Sequence, residues 1–136
     1  APGAKGETEL EIIRSNTNIK VETENEEVSI KVRIKVHSNL GSQTGVFDLS
    51  KPEALQNLAK LEAEAIRNEI NTAIGKAREY DADIFGFGDA VRRADPKLWK
   101  KLEPNWRHVF QNLKVKVDVK TNIGQIGMIT KPIKPE

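Results

Sequence analysis

The sequence contains no cysteine, and this absence excludes several kinds of site at once. Without cysteine the chain cannot form disulfides, supply a thiolate nucleophile or build cysteine-based zinc and iron–sulfur sites. Histidine is scarce too, because His37 and His108 are the only two. Two histidines without cysteine make a poor zinc site, and no Ser-His-Asp arrangement can be inferred from them. We therefore expect no catalytic residues, no metal and no cofactor.

Long apolar runs and a strong excess of one charge are also missing. No stretch approaches the roughly 20 apolar residues that a membrane-spanning helix needs. Lys+Arg 22 against Asp+Glu 20 gives a net charge of +2, too balanced for nucleic-acid binding through bulk electrostatics. The 136 residues, 38% hydrophobic and 31% charged, fit one soluble domain with a modest core. Residues 1–8 read as a linker or cloning remnant, 9–130 as a single α+β domain and 131–136 as a flexible tail.

Two regions alternate apolar and polar residues as half-buried strands do. In "VSIKVRIKV", residues 28–36, every second residue is apolar and mostly basic residues lie between. The alternation returns in "LKVKVDVKTNIGQIGMI", residues 113–129, which we predict to be the closing strand. A further strand over residues 10–21, followed by the polar turn "ETENEE", is expected to form a hairpin with the first region.

Between these strands, apolar residues recur at helical spacing. The pattern predicts a long helix from the N-cap Ser50 to about Tyr80 and a short helix over residues 87–94. Asp95 followed by proline begins another helix, which Pro104 should break or kink. This order predicts an α+β fold: an antiparallel sheet of about four strands, with one long helix and two or three shorter helices packed on one face.

The Gly86-Phe87-Gly88 step resembles part of a phosphate-binding loop but lacks its essential elements. A dinucleotide fingerprint needs a third glycine and a preceding strand, and a phosphate loop needs a lysine after its last glycine. We interpret the step as a packing turn, in which glycine allows close backbone approach while aromatic rings fill the core. The alternative is a small-ligand pocket around this turn. Its candidate residues are Phe85, Gly86, Phe87, Gly88, Trp99 and Trp106.

Three acidic residues near the turn, Asp81, Asp83 and Asp89, do not follow the order of a calcium loop. Such a loop needs ligands at alternate positions, a central glycine and a closing glutamate. We predict instead that Asp83 caps the short helix.

Basic residues on the polar side of two predicted strands form the candidate docking surface, if those strands are neighbours. Three interpretations stay open: a solvated face kept soluble by lysines, a docking surface for an acidic partner, or contact with anionic lipid headgroups. Nucleic acid is not expected, because stacking aromatics do not interleave with these residues. The candidate residues are Lys31, Arg33, Lys35, Lys114, Lys116 and Lys120.

From Asp48 to Ile129 the sequence resembles the C-terminal domain of the spore germination receptor C subunit, the Ger(x)C lipoprotein family. The resemblance rests on "FDLSKPE" before a long charged helix, on "YDADIFGFGDAVRRADPKLWKKLEPNW" and on the closing strand "LKVKVDVKTNIGQIGM". In that family a phrase like residues 82–88 precedes a short helix. A Pro-x-x-Trp like Pro96 to Trp99, and a second tryptophan like Trp106, follow it.

The resemblance implies a non-enzymatic subunit of a nutrient germinant receptor in endospore-forming bacteria. Family members are attached through a lipidated cysteine to the outer face of the spore inner membrane. They act with two integral membrane subunits, A and B, to trigger germination. The lipid anchor would lie outside this chain, which is itself expected to be soluble. No catalytic or cofactor-binding residues carry over.

Together, the residues and the resemblance predict a receptor module that acts by protein–protein docking. Direct binding of a small nutrient, an amino acid or a sugar, is the alternative. Peripheral contact with anionic lipid is a third possibility.

Overall fold

The computed structural model describes residues 8–43 and 52–125. The chain forms strands β1 (Thr8–Glu24) and β2 (Glu27–Gln43), and then the long helix α1 (Pro52–Glu79). Helices α2 (Phe87–Ala94) and α3 (Pro96–Leu102), a 3-10 turn (Glu103–Asn105), helix α4 (Trp106–Asn112) and strand β3 (Lys114–Gln125) follow. The α+β class, the long helix and three shorter helices are as predicted. The predicted cap Ser50, the tail 131–136 and most of the leader 1–8 lie outside the described residues.

The sheet differs from the expected one in two details. The described residues give three strands in the order β1-β2-β3, rather than about four. The sheet is also mixed rather than antiparallel. Strand β3 follows β2 only after the helices, and a connection of that length is what a parallel neighbour requires. Apolar alternation determines which face a strand buries but not the direction in which it runs.

The predicted hairpin is formed by β1 and β2, joined at Asn25-Glu26. Both residues have positive φ, 54° and 66°, the conformation of the two-residue hairpin turn that matches the twist of its strands. Strand β2 continues past its predicted end at Val36, because Ser38 and Leu40 keep the alternation and are both buried.

Local hydrogen bonds account for where two of the helices end or begin. Helix α1 ends at Glu79, and Asp81, two residues further on, has a left-handed φ of 56°. The Asp81 N–H donates to Arg78 O and the next N–H, of Ala82, donates to Ala77 O, the paired bonds of a Schellman motif. Helix α3 begins as predicted, since the Asp95 carboxylate accepts from the Leu98 N–H at 3.1 Å.

The described residues divide into two compact units, each with its own buried residues. The described residues of the first unit are 8–16, 35–43, 52–65 and 119–125. In it, Val36, Ser38 and Leu40 of β2 are buried. The Ser38 hydroxyl donates to Glu62 Oε2 of α1 at 2.7 Å, and the Thr121 hydroxyl of β3 donates to Ala59 O at 2.7 Å.

The second unit, Thr17–Ile34 with Ile66–Asp118, holds the larger set of buried side chains. Alternate residues of β2 are buried on one face of the sheet, joined by Val117 of β3 and by Leu113 just before that strand, and each helix in this unit contributes at least one buried residue. These residues are Ile30, Val32, Ile34, Ile74, Ala77, Phe87, Val91, Leu98, Phe110, Leu113 and Val117. The helices therefore cover the apolar face, and the polar residues of the strands lie on the other.

Candidate functional site

The basic candidates of the second unit lie on β2 and β3, which are neighbours in the sheet, as the docking hypothesis required. Arg33, Lys114 and Lys116 are exposed and Lys31 is half-buried. All four lie on the strand positions that alternate with buried residues. None of the four takes part in an ion pair within the part of the chain that the structure describes. We call this set the basic sheet face.

Strand β1 adds a cation to this face that the sequence pattern did not select. A two-residue hairpin loop sets the register of the strands that it joins, which places Lys20 opposite Lys31. Lys20 is exposed, whereas its neighbours Ile19 and Val21 are half-buried, so it lies on the outer side of the sheet. The register set by the hairpin turn is the signal in the sequence that could have identified it.

The remaining two basic candidates, Lys35 and Lys120, belong to the first unit. Both are exposed. The glycine of β3 indicates which positions share a face, because a Cβ on Gly124 would lie 3.0 Å from Asn39 Oδ1 and 3.9 Å from the His37 ring. Even-numbered residues of β3 and odd-numbered residues of β2 therefore point the same way, which includes Lys35 and Lys120.

The aromatic candidates around the Gly-Phe-Gly step pack against one another. Phe87 is fully buried and its ring centroid lies 5.5 Å from that of Phe85 and 6.4 Å from that of Phe110. Trp99 and Trp106 meet edge to face at 5.1 Å, and Trp106 lies 6.3 Å from Phe110. Such arrangements are those that aromatic pairs prefer. The rings of this cluster fill space, as the packing-turn interpretation expects.

The two glycines of the step have different uses. Gly86 has a φ of 75°, a left-handed conformation that glycine adopts without cost. Gly88 is buried against the indoles, since a Cβ there would lie 3.1 Å from both Trp106 Nε1 and Trp99 Cη2. The Asp83 carboxylate accepts from the Phe87 and Gly88 N–H groups at 2.8 Å each, which confirms that Asp83 caps α2. These two amides are therefore not available to a phosphate.

A groove between β1 and α2, which we call the β1–α2 groove, is a site that sequence reasoning missed. Its volume is about 650 Å³ and it lies wholly within the second unit. The groove joins residues of the first hairpin with residues some 70 positions further on. No pattern of neighbouring residues in the sequence could therefore predict it. On one side it is bordered by Thr17, Asn18, Ile19 and Val21, and on the other by Phe85, Gly86, Ala90 and Arg93, among others.

The two charged residues at the rim of the groove, Asp89 and Arg93, are paired with each other, and Asp89 is also paired with Arg92 beside the groove. The Arg92 guanidinium donates to one oxygen of Asp89, and Arg93 lies 3.0 Å from the other. The hydrogen bond from Arg92, supported by the positive charges of Arg92 and Arg93, lowers the pKa of the Asp89 carboxyl, although partial desolvation opposes this. All three side chains are about half exposed or more.

Within residues 8–43 and 52–125, no group of three or more His, Asp or Glu side chains is placed to hold a metal ion. In the same part of the chain no helix combines the length and the apolar character needed to cross a membrane.

Comparison with known proteins gives consistent matches. The family model "Spore germination B3/ GerAC like, C-terminal" matches residues 1–127. Spore germination protein KC of Bacillus subtilis (strain 168) is 30% identical over 89 residues, covering 65% of this chain and 22% of that protein. Spore germination protein YndF of the same strain is 29% identical over 69 residues, covering 47% of this chain and 17% of that protein. The chain thus spans about a fifth of the length of these curated relatives.

A solved structure shares the fold. The crystal structure of the GerBC protein superimposes with a TM-score of 0.73 at 21% sequence identity, covering 88% of this chain and 40% of that one.

Proposed function

Because the chain belongs to the spore germination B3/GerAC-like C-terminal family, we propose that it is a non-catalytic module of the C subunit of a nutrient germinant receptor. The module acts by docking onto the other subunits of that receptor. Its partners are the integral membrane A and B subunits. The full-length subunit is attached to the outer face of the spore inner membrane by a lipid that lies outside this chain.

The observation that carries the docking proposal is the basic sheet face. Four cations on β2 and β3, with Lys20 beside them on β1, lie on one side of a sheet and have no ion-pair partners among the described residues. Unpaired like charges on neighbouring strands repel each other and destabilise the sheet. An acidic partner surface would remove that repulsion and would also steer association.

The receptor part of the proposal is tested by deleting this domain from the parent gene in a strain whose paralogous receptors are also deleted. We expect the response to nutrients to be lost and the response to a receptor-independent trigger to remain. Germination in nutrients at the normal rate would refute the proposal.

The docking part is tested by charge reversal in the full-length subunit. We expect Arg33→Glu with Lys116→Glu to abolish co-purification of the A and B subunits. The matched control is Lys97→Glu with Lys100→Glu, which makes the same change in net charge at two exposed residues of α3. Equal co-purification with both pairs would exclude the basic sheet face as the docking surface.

Two alternatives make different predictions for the isolated chain. Contact with anionic lipid predicts salt-sensitive cosedimentation with phosphatidylglycerol vesicles, lost in the Arg33/Lys116 pair variant. Nutrient binding predicts a saturable change in tryptophan fluorescence with one amino acid or sugar, since Trp99 and Trp106 are the only tryptophans.

A further inference from the structure

We propose that the β1–α2 groove binds an extended peptide segment of a partner protein, which adds as a strand to the free edge of β1. The segment carries apolar and acidic residues in alternation. This inference goes beyond docking through the basic sheet face, because it concerns a second site with its own ligand chemistry.

The first argument is that β1 is an edge strand. Among the described strands its only neighbour is β2, so its other side presents backbone N–H and C=O groups that none of these strands satisfies. Such an edge is a template for pairing with another chain. β1 is also long, at 17 residues, and a long edge offers many such groups.

The second argument is that the groove follows this edge. Thr17, Asn18 and Ile19 are consecutive, and consecutive side chains point to opposite faces of a sheet. A cavity bordered by all three must therefore reach the edge of the strand and not just one of its faces. In a two-residue hairpin the residues flanking the loop bond to each other, so bonding to β2 falls on even-numbered residues of β1. The backbone groups of Thr17, Ile19 and Val21 then point to the free edge.

The third argument concerns the side chains that a bound strand would meet. On the helix side of the sheet it would lie against Ile19, Val21, Phe85 and Ala90, which are apolar and half-buried. On the outer side it would lie beside Lys20, at the margin of the basic sheet face. A segment that alternates apolar and acidic residues satisfies both sides at once.

A free small molecule fits the groove less well. Small-ligand sites place a few polar groups so that they converge on the ligand. Here Asp89 and Arg93 are paired with each other at the exposed rim, and the N–H groups of Phe87 and Gly88 are taken by Asp83. The backbone edge of β1 is therefore the main source of free hydrogen-bonding groups along the groove, and an extended backbone is its complement.

The probe is a fluorescein-labelled peptide of about eight residues, a usual strand length, with valine and glutamate in alternation. Two control peptides carry N-methyl groups, one on every valine amide and the other on every glutamate amide. An added strand turns alternate amides toward β1, so strand addition requires that only one of the two methylated peptides still binds. Binding is measured by fluorescence anisotropy with the complete 136-residue chain.

Amide hydrogen exchange followed by NMR gives a residue-level readout. In the free chain we expect slow exchange at Asn18 and Lys20, whose amides bond to β2, and fast exchange at Thr17, Ile19 and Val21. The bound peptide should slow amide exchange at Thr17, Ile19 and Val21 and leave exchange at Asn18 and Lys20 unchanged. A peptide bound elsewhere, or on one face only, would not produce this alternation.

Two substitutions locate the site. Thr17→Pro removes a donor from the free edge, where proline is tolerated, and should weaken binding about fivefold, the value of one net hydrogen bond. Thr23→Pro is the matched control, since Thr23 is also exposed, lies on the same strand with the same parity and does not border the groove. Ala90→Arg fills the groove with a residue that favours helix, and should abolish binding.

Each contrary result overturns the proposal. No saturable binding of the valine–glutamate peptide, equal binding of both methylated peptides, or unchanged binding to Ala90→Arg would exclude strand addition in the groove. Saturable displacement of the probe by free valine or free glutamate at concentrations similar to those of the peptide would indicate a small-molecule site instead.

Discussion

Replacing Gly88 by alanine has two opposite effects on the stability of the fold, a gain from backbone entropy and a steric cost. Alanine in place of a helical glycine normally stabilises a protein by up to about 1 kcal/mol, because glycine loses more backbone entropy on folding. At Gly88, however, the new Cβ would lie 3.1 Å from Trp106 Nε1, 3.1 Å from Trp99 Cη2 and 3.2 Å from Asp83 Oδ2. All three are closer than an ordinary van der Waals contact.

None of these neighbours can move without losing another interaction. The two indoles are packed edge to face on each other, and the Asp83 carboxylate is held by two N–H groups at 2.8 Å. Overpacking a filled site costs about 1–3 kcal/mol. Because three neighbours must move together, we expect the upper part of that range and a net destabilisation of about 1–2 kcal/mol. In thermal unfolding of a chain this size, that corresponds to a Tm lower by about 4–8 °C.

Gly75→Ala is the matched control, since Gly75 is also helical but a Cβ there would have no neighbour within 4 Å. It should raise stability by up to about 1 kcal/mol. Urea unfolding followed by circular dichroism measures both variants, and tryptophan emission should shift only in Gly88→Ala. If Gly88→Ala were as stable as Gly75→Ala, the contact between the glycine and the two indoles would not exist in solution.

Two further predictions concern polar groups. Ser38→Ala leaves the half-buried Glu62 carboxylate without its donor and should lower the free energy of unfolding, measured in urea, by about 1–3 kcal/mol. Adding Glu62→Leu should recover most of this loss, because it removes the unpaired carboxylate. A double variant no more stable than Ser38→Ala would contradict this. Asp89 should titrate below its ordinary pKa in a carboxyl NMR titration, and Arg92→Gln should raise the midpoint, while an unchanged midpoint would exclude Arg92 as the cause. Since the folded pKa of Asp89 is the lower one, its contribution to stability is present above the ordinary value and is lost as pH falls through the folded value.

The parts of the structure that the sequence predicted are those governed by chemistry within a few residues. Helix α2 has its predicted bounds because Asp83 supplies the cap and Asp95 with Pro96 begins the next helix. The hairpin of β1 and β2 was predictable from the alternation of apolar and polar residues and from the polar turn between the two strands. Each of these features depends on groups that are close in the chain, so it is visible in the sequence.

What the sequence did not reveal depends on residues far apart in the chain. Ser38 lies beyond the predicted end of its strand and is fully buried, where its hydroxyl donates a hydrogen bond to Glu62 on α1. The direction of β3 depends on the crossover and not on its own alternating pattern. The β1–α2 groove combines an edge strand with a helix that follows it by some 70 residues, and no spacing rule connects the two.

The Gly-Phe-Gly step shows how a cap decides what a helix can offer a ligand. The N-terminus of a helix attracts anions because its first amides have no partner within the helix. In α2 a carboxylate from the same chain already accepts from two of these amides, and the next acidic residue, Asp89, is neutralised by Arg92 and Arg93. With two of its first amides taken by Asp83 and both arginines paired with the single carboxylate of Asp89, the helix contributes to the groove mainly apolar surface. The edge of β1 is then the main source of hydrogen bonds along the groove, and an extended backbone is the complement that our proposal assigns to it.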